Sequence, residues 1–214
     1  MTPEEFASLA GVSRETLDRL DSYLQLLRKW NGAINLVGVS TLADPWRRHF
    51  WDSAQLLPLL PSSDQPSVVV DLGSGGGFPG LVLAIVAGDR ISAHLVESDR
   101  RKATFLREAA RATGTDVAVH SERAETAANP VKADVITARA LAPVEVVLEL
   151  ADAYVQPSTQ FLLLKGSQTH KELTAAAKDW KMDVELHPSR SDPSGFIVQI
   201  KRATRHDRST VGSK

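Results

Sequence analysis

Residues 71–80 read Asp71-Leu72-Gly73-Ser74-Gly75-Gly76-Gly77-Phe78-Pro79-Gly80, and this run constrains the fold more than any other stretch. It follows Val68-Val69-Val70 and contains a proline suited to the first position of a helix. A strand, a glycine turn and a helix N-terminus in that order make a corner at which nucleotides bind. Glycine is needed there because it accepts positive φ and lets the backbone approach a ligand closely.

Read literally, Gly75-Gly76-Gly77-Phe78-Pro79-Gly80 also satisfies the G-x-G-x-x-G pattern of dinucleotide folds. Asp71 argues against that ligand, since a pyrophosphate docked beside a carboxylate meets like charge. The methionine end of S-adenosylmethionine carries an ammonium and a sulfonium, which a carboxylate attracts. The D-x-G-x-G-x-G spacing of Asp71, Gly73, Gly75 and Gly77 suits that second ligand. Glu97 ends the next strand-like run, where a carboxylate can accept hydrogen bonds from ribose hydroxyls. Glu125 follows the third strand, where the chain passes an adenine in this topology. It is equally a helix-start acid favoured by the dipole.

Strand-like and helical stretches alternate after residue 62. The expected strands are 67–72, 91–97, 116–121, 133–138, 160–165, 182–187 and 195–202, with helices at 79–87, 99–113, 143–153 and 169–179 and a short turn from Glu122. Alternation of this kind implies right-handed crossovers and a parallel sheet. Only seven residues separate His187 from Gly195, too few for a helical crossover, so the last two strands form an antiparallel hairpin. The fold class is therefore α/β: a Rossmann-like class I methyltransferase with a seven-stranded, mostly parallel sheet and an antiparallel C-terminal hairpin.

Residues 1–61 read as an N-terminal helical extension to the S-adenosylmethionine-binding domain, 62–202. Thr2-Pro3-Glu4-Glu5 has the form of a capping box. A second helix opens at Ser13, with Leu17, Leu20, Leu24 and Leu27 at helical spacing, and a third is expected over about Trp46 to Leu57. Residues 203–214 read as a basic flexible tail. From Lys201 onward five basic residues face one acid, an arm for phosphates or a solvated terminus.

The chain has 214 residues, 43% of them apolar, and no cysteine. Thiolate metal sites and thiolate nucleophiles are excluded, including the nucleophile of pyrimidine C5 methylation, and no metal site is expected. No apolar run approaches the roughly 20 residues of a membrane span. With an acidic N-terminus in place of a basic leader, a soluble cytoplasmic protein is expected. The stretch after the fourth strand, Ile136-Thr137-Ala138-Arg139-Ala140-Leu141-Ala142-Pro143, lacks the N/D-P-P-Y-type motif of adenine amino-group methylation.

The sequence resembles the RsmG (GidB) family of bacterial small-subunit rRNA methyltransferases, which modify N7 of one guanine. The resemblance runs from about Tyr23 to Lys165. It rests on Trp30-Asn31-x-x-x-Asn35-Leu36, Arg48-His49-x-x-Asp52-Ser53, the glycine run with its Phe78-Pro79-Gly80 ending, Glu97-Ser98, Lys102, Phe105-Leu106, Arg123 and Arg139-Ala140. Arg101 stands where the family usually has a second lysine.

The resemblance implies S-adenosyl-L-methionine as cofactor and 16S rRNA or the small ribosomal subunit as partner, with guanine 527 as target and no oligomer required. It implies donor contacts at Gly73, Phe78, Ala124, Glu125 and Arg139, beside Asp71, Gly75 and Glu97 from the residue reading. RNA contacts fall to Arg48, Arg101, Lys102, Arg123 and Lys165. Arg139 and His49 are expected to position the reactants, with no general base, because guanine N7 carries a lone pair and no proton. Two alternatives differ in class: a small-molecule or protein methyltransferase on the same fold, and an NAD-dependent oxidoreductase or nucleotide-binding module.

Overall fold

The computed structural model describes residues 1–206; the part of the basic tail beyond them, 207–214, lies outside the described residues. Seven strands form one sheet in the order β3-β2-β1-β4-β5-β7-β6. They are β1 (Ser67–Leu72), β2 (Ile91–Val96), β3 (Ala118–His120), β4 (Val135–Arg139), β5 (Gln160–Lys165), β6 (Trp180–Pro188) and β7 (Phe196–Arg205). The neighbouring pairs among β1 to β5 are parallel, and β7 runs antiparallel to both β5 and β6. The α/β class and the closing hairpin are those expected from the alternation. β7 continues three residues past the expected boundary at 202, with Trp180 opposite Arg205, so 203–205 belong to the sheet rather than to a tail.

The helices are α1 (Pro3–Ala10), α2 (Arg14–Asn31), α3 (Asp52–Ala54), α4 (Gly80–Ala87), α5 (Arg100–Ala112), α6 (Val144–Leu150) and α7 (Thr169–Ala176). α1 starts at the expected capping box: Thr2 accepts from the Glu5 amide, and Glu5 accepts from the Thr2 amide. The third expected helix is instead a wide π turn at Trp46–Trp51 that runs into α3, with a 3-10 turn at Leu57–Leu59. Trp46, His49, Phe50 and Trp51 are all buried. A regular α-helix would carry one of these off the buried stripe, and the extra residue per turn brings it back.

The N-terminal helices are not a separate unit. Phe6, Leu20, Tyr23 and Leu27 share one core with Phe78, Leu81 and Phe105, so α1 and α2 complete the cover over α4 and α5. Trp30 packs on Phe105, while Arg19 Nε donates to the Thr113 carbonyl at 2.7 Å. α2 therefore runs antiparallel to α5, and Tyr23 near its middle reaches the glycine loop. Among the described residues no helix is long and apolar enough to cross a membrane.

Candidate active site

A cleft of about 700 Å³ opens at the C-terminal ends of β1 and β4, the edge at which open parallel sheets bind ligands. The glycine loop forms one wall. Gly73 has φ +64°, and a Cβ there would collide with Leu141 Cδ1. Gly77 has φ +87°, and its Cβ would meet the Tyr23 hydroxyl. Tyr23 is fully buried; its hydroxyl donates to the Gly76 carbonyl, and its ring stacks on Phe78 with centroids 5.3 Å apart. Burial raises the Tyr23 pKa well above its ordinary value, which keeps the proton that holds the loop.

Asp71 lies beneath this wall. At 1% exposure it is buried and does not line the cleft. Oδ1 accepts from Thr137 Oγ1 at 2.7 Å. Oδ2 is buried without a hydrogen bond of good geometry, although the Gly80 amide approaches it. Burial raises the Asp71 pKa to about 6, against the opposing pull of its hydrogen bonds and the Arg139 charge. Gly80 makes room for the carboxylate, since a Cβ there would sit 2.6 Å from Asp71 Cβ.

Glu97 is also turned inward. Oε2 accepts from the Gly75 amide and Oε1 from the Asp99 amide, each at 2.8 Å. The acid expected at a ribose therefore ties the glycine loop to the start of α5. Each oxygen keeps a second lone pair, but Glu97 is buried and does not line the cleft. A strand-end carboxylate has to find donors once buried, and the nearest backbone amides supply them.

Arg139, at the tip of β4, organises the opposite wall. Its Nη1 donates to the Arg48 carbonyl at 3.0 Å and to His49 Nδ1 at 3.0 Å, and lies 3.4 Å from Asp52 Oδ2. Its guanidinium sits over Phe78, 4.8 Å from the ring centroid. Arginine has no acceptor, so His49 Nδ1 must be the unprotonated nitrogen. His49 Nε2–H then donates to Thr41 Oγ1 at 2.8 Å, and the Thr41 hydroxyl donates to the Gly38 carbonyl at 2.6 Å. Burial first, then the charges of Arg139 and Arg48, lower the His49 pKa to about 3. His49 is thus a neutral, oriented ring stacked on Phe78.

The hairpin loop between β6 and β7 closes the third side. Ser191 Oγ donates to Asp52 Oδ1, the Arg190 amide donates to Gln55 Oε1 at 2.8 Å, and Arg48 Nη1 donates to Asp192 Oδ2 at 2.9 Å. Arg48 and Asp52, an i,i+4 pair by sequence, bond instead to partners about 140 residues away in the chain.

Gly73, Gly75, Phe78, His49, Arg48, Lys102, Arg139 and Lys165 all line the cleft. Lys165 is 8% exposed at its side chain and is held by Glu172 at 2.9 Å and the Ala142 carbonyl. Its charge thus braces the wall from within the cleft lining. Arg101 and Arg123 do not line the cleft; they are exposed and pair with Asp99 at 3.6 Å and Glu125 at 3.7 Å. Ala124 and Glu125 form a 3-10 turn beyond β3, outside the cleft lining.

Sequence reasoning missed Tyr23, Thr41, Thr137, Ser191 and Asp192. Only Tyr23 carried a local signal: it sits three residues after Leu20 on the buried face of α2. Among the described residues Ala140 is the non-glycine residue with positive φ, 51°, at the corner where Arg139 turns to His49 and Leu141 turns onto Gly73. An alanine in that region costs about 1 kcal/mol.

Over residues 16–191 the chain matches the family described as rRNA small subunit methyltransferase G (GidB). It is 54% identical over 201 residues to the ribosomal RNA small subunit methyltransferase G of Rhodospirillum rubrum, covering 94% of this chain and 97% of that protein. It is 55% identical over 196 residues to the protein of that name in Rhodospirillum centenum, covering 92% and 88%. In fold it resembles a SAM-dependent methyltransferase from Aquifex aeolicus, with TM-score 0.59 at 15% identity over 76% of this chain and 96% of that one. An O-methyltransferase from Bacillus cereus in complex with SAH superposes with TM-score 0.56 at 13% identity, over 85% and 91%.

Proposed function

We propose, from the premise that this chain belongs to the rRNA small subunit methyltransferase G (GidB) family, that it methylates N7 of a guanine in 16S rRNA. Methyl transfer to rRNA from S-adenosyl-L-methionine is the activity of that family. One observation supports the donor site above the others. The glycine loop excludes a Cβ at Gly73 and rests on the buried Asp71 carboxylate. A shallow wall with negative charge behind it suits a cationic nucleoside. It does not suit the pyrophosphate of a dinucleotide, and this disfavours the oxidoreductase alternative.

Gly73, Gly75, Phe78 and Arg139 would hold the donor, with Ala124 and Glu125 flanking its adenine side, Glu97 fixing the loop, and Asp71 acting from below. When bound, S-adenosylmethionine supplies a methyl group on a positively charged sulfur. The chain's own residues then have to align that methyl with a lone pair that needs no deprotonation, a task of positioning. Charge moves from sulfur to the base, so a free cation near N7 would oppose the reaction. Arg139 meets that constraint because Asp52 balances its charge and its Nη1 hydrogens are given to Arg48 and His49. His49 meets it by staying neutral. Neither residue is a general base.

Arg48 and Lys102 stand at the cleft, and Arg101 and Arg123 on the surface beyond it, as phosphate contacts for an RNA strand. N7 of a paired guanine lies in the deep, narrow major groove of A-form RNA, so the target is unpaired or splayed. The family resemblance requires no oligomer, and the enzyme would act in the cytoplasm, where small subunits are found. The test is transfer of labelled methyl to small subunits from cells lacking this gene, with the modified guanine mapped. Label that enters only free metabolites or proteins would refute the assignment.

A further inference from the structure

Among the described residues four large hydrophobic side chains are exposed, and Val39 is the most exposed of them at 77%. A single exposed valine is ordinary. This one differs in how firmly its backbone is held. Asn31 Oδ1 accepts from the Leu36 and Val37 amides, each at 2.9 Å. Beyond it, the Thr41 amide and hydroxyl both donate to the Gly38 carbonyl, at 3.0 and 2.6 Å. His49 fixes Thr41 in turn, at 2.8 Å. Leu36 and Val37 rest on the glycine loop, where a Cβ at Gly76 would lie 3.3 Å from each. Side-chain hydrogen bonds on both flanks thus present one apolar group to solvent at the rim, between the lining residues Gly38 and Thr41.

Leu141, a second of the four, lines the same cleft and packs on Gly73. Leu141 thus packs at the Gly73 end of the glycine loop and the segment leading to Val39 at Gly76, and the cations Arg48 and Lys102 line the same cleft.

We infer that Val39 is a positioning residue for RNA: it packs against an unstacked base beside the target guanine and holds the splayed strand open. The inference rests on the rRNA reading above. Presenting N7 requires the base to leave its stack, and apolar side chains placed at a base step stabilise such unstacked geometry. A rigid turn serves this better than a mobile one, because no ordering is required when the strand arrives.

The test compares wild type, Val39→Ser and Val39→Ile in steady-state methylation of unmodified small subunits, with calorimetry on S-adenosylhomocysteine and sedimentation of each protein. Val39→Ser is expected to lower kcat/KM about tenfold. Its S-adenosylhomocysteine affinity, melting temperature and oligomeric state stay as in wild type, and Val39→Ile restores kcat/KM. Wild-type kcat/KM in Val39→Ser overturns the inference and leaves the rRNA reading intact. A change of oligomeric state with unchanged rRNA kinetics overturns it in favour of contact between copies. A wild-type protein that leaves the subunits unlabelled overturns the rRNA reading, and this inference with it.

Discussion

Replacing Asp71 by asparagine should make the difference in stability between variant and wild type depend on pH, in a window set by this one buried carboxyl. Its pKa is about 6 in the fold, raised chiefly by burial, against an ordinary value of 3.8. Below pH 3.8 the carboxyl is protonated in both the folded and unfolded chain, and no penalty arises. As pH rises toward 6 the unfolded chain releases its proton first, so the fold loses stability; above 6 the penalty is complete and constant. One pKa unit corresponds to about 1.4 kcal/mol, so the full penalty is about 3 kcal/mol. Asparagine keeps the shape and an acceptor for Thr137 but does not titrate.

The unfolding free energy of Asp71→Asn minus that of wild type should therefore climb by about 3 kcal/mol between pH 3.8 and 6, then level off. Urea unfolding followed by tryptophan fluorescence at several pH values measures it. The subtraction matters because His49 acts in the opposite sense. Its pKa is lowered to about 3, so wild type loses stability as pH falls from 6.5 toward 3, and the two effects overlap. A difference that stays flat from pH 4 to pH 8 would show that Asp71 is not strained by burial, and that the carboxylate beneath the loop carries no cost for a cationic ligand to relieve.

Two further outcomes follow from the same walls. Gly73→Ala places a side chain at φ +64° and pushes Leu141 off its seat; it should cost about 1–2 kcal/mol of stability and abolish S-adenosylhomocysteine binding, and calorimetry at wild-type affinity would refute the role of this wall. In wild type the His49 imidazole should not titrate between about pH 5 and 8, whereas Arg139→Met removes the second cause of its lowered pKa and should move its titration upward, as read from the ring-proton shifts by NMR.

Much of this was written locally in the chain. Valine runs of strand length, the capping box at Thr2, the glycine turn and the short link from His187 to Gly195 each lie within a few residues. They draw on backbone sterics, turn chemistry and hydrophobic period, which act over such windows. They determined the class of fold, the closing hairpin and the place of the cleft. The family resemblance added Arg48, His49 and Arg139 as residues to watch.

What those residues touch was a matter for the tertiary structure. The partner of a charge depends on which loops the sheet brings together, and Arg139 meets His49 across 90 residues while Asp52 meets Ser191 across 139. No spacing rule records such distances. Burial is equally non-local: the glycine turn at Asp71-Leu72-Gly73 announced a ligand site, but only the packing of Gly80 and Thr137 against the Asp71 carboxylate placed it under the loop instead of in the cleft. The sequence by itself determined that a nucleoside-binding corner exists. The fold decided that its acid lies behind the wall, because a side chain at a strand tip is covered or exposed by elements far from it in the chain.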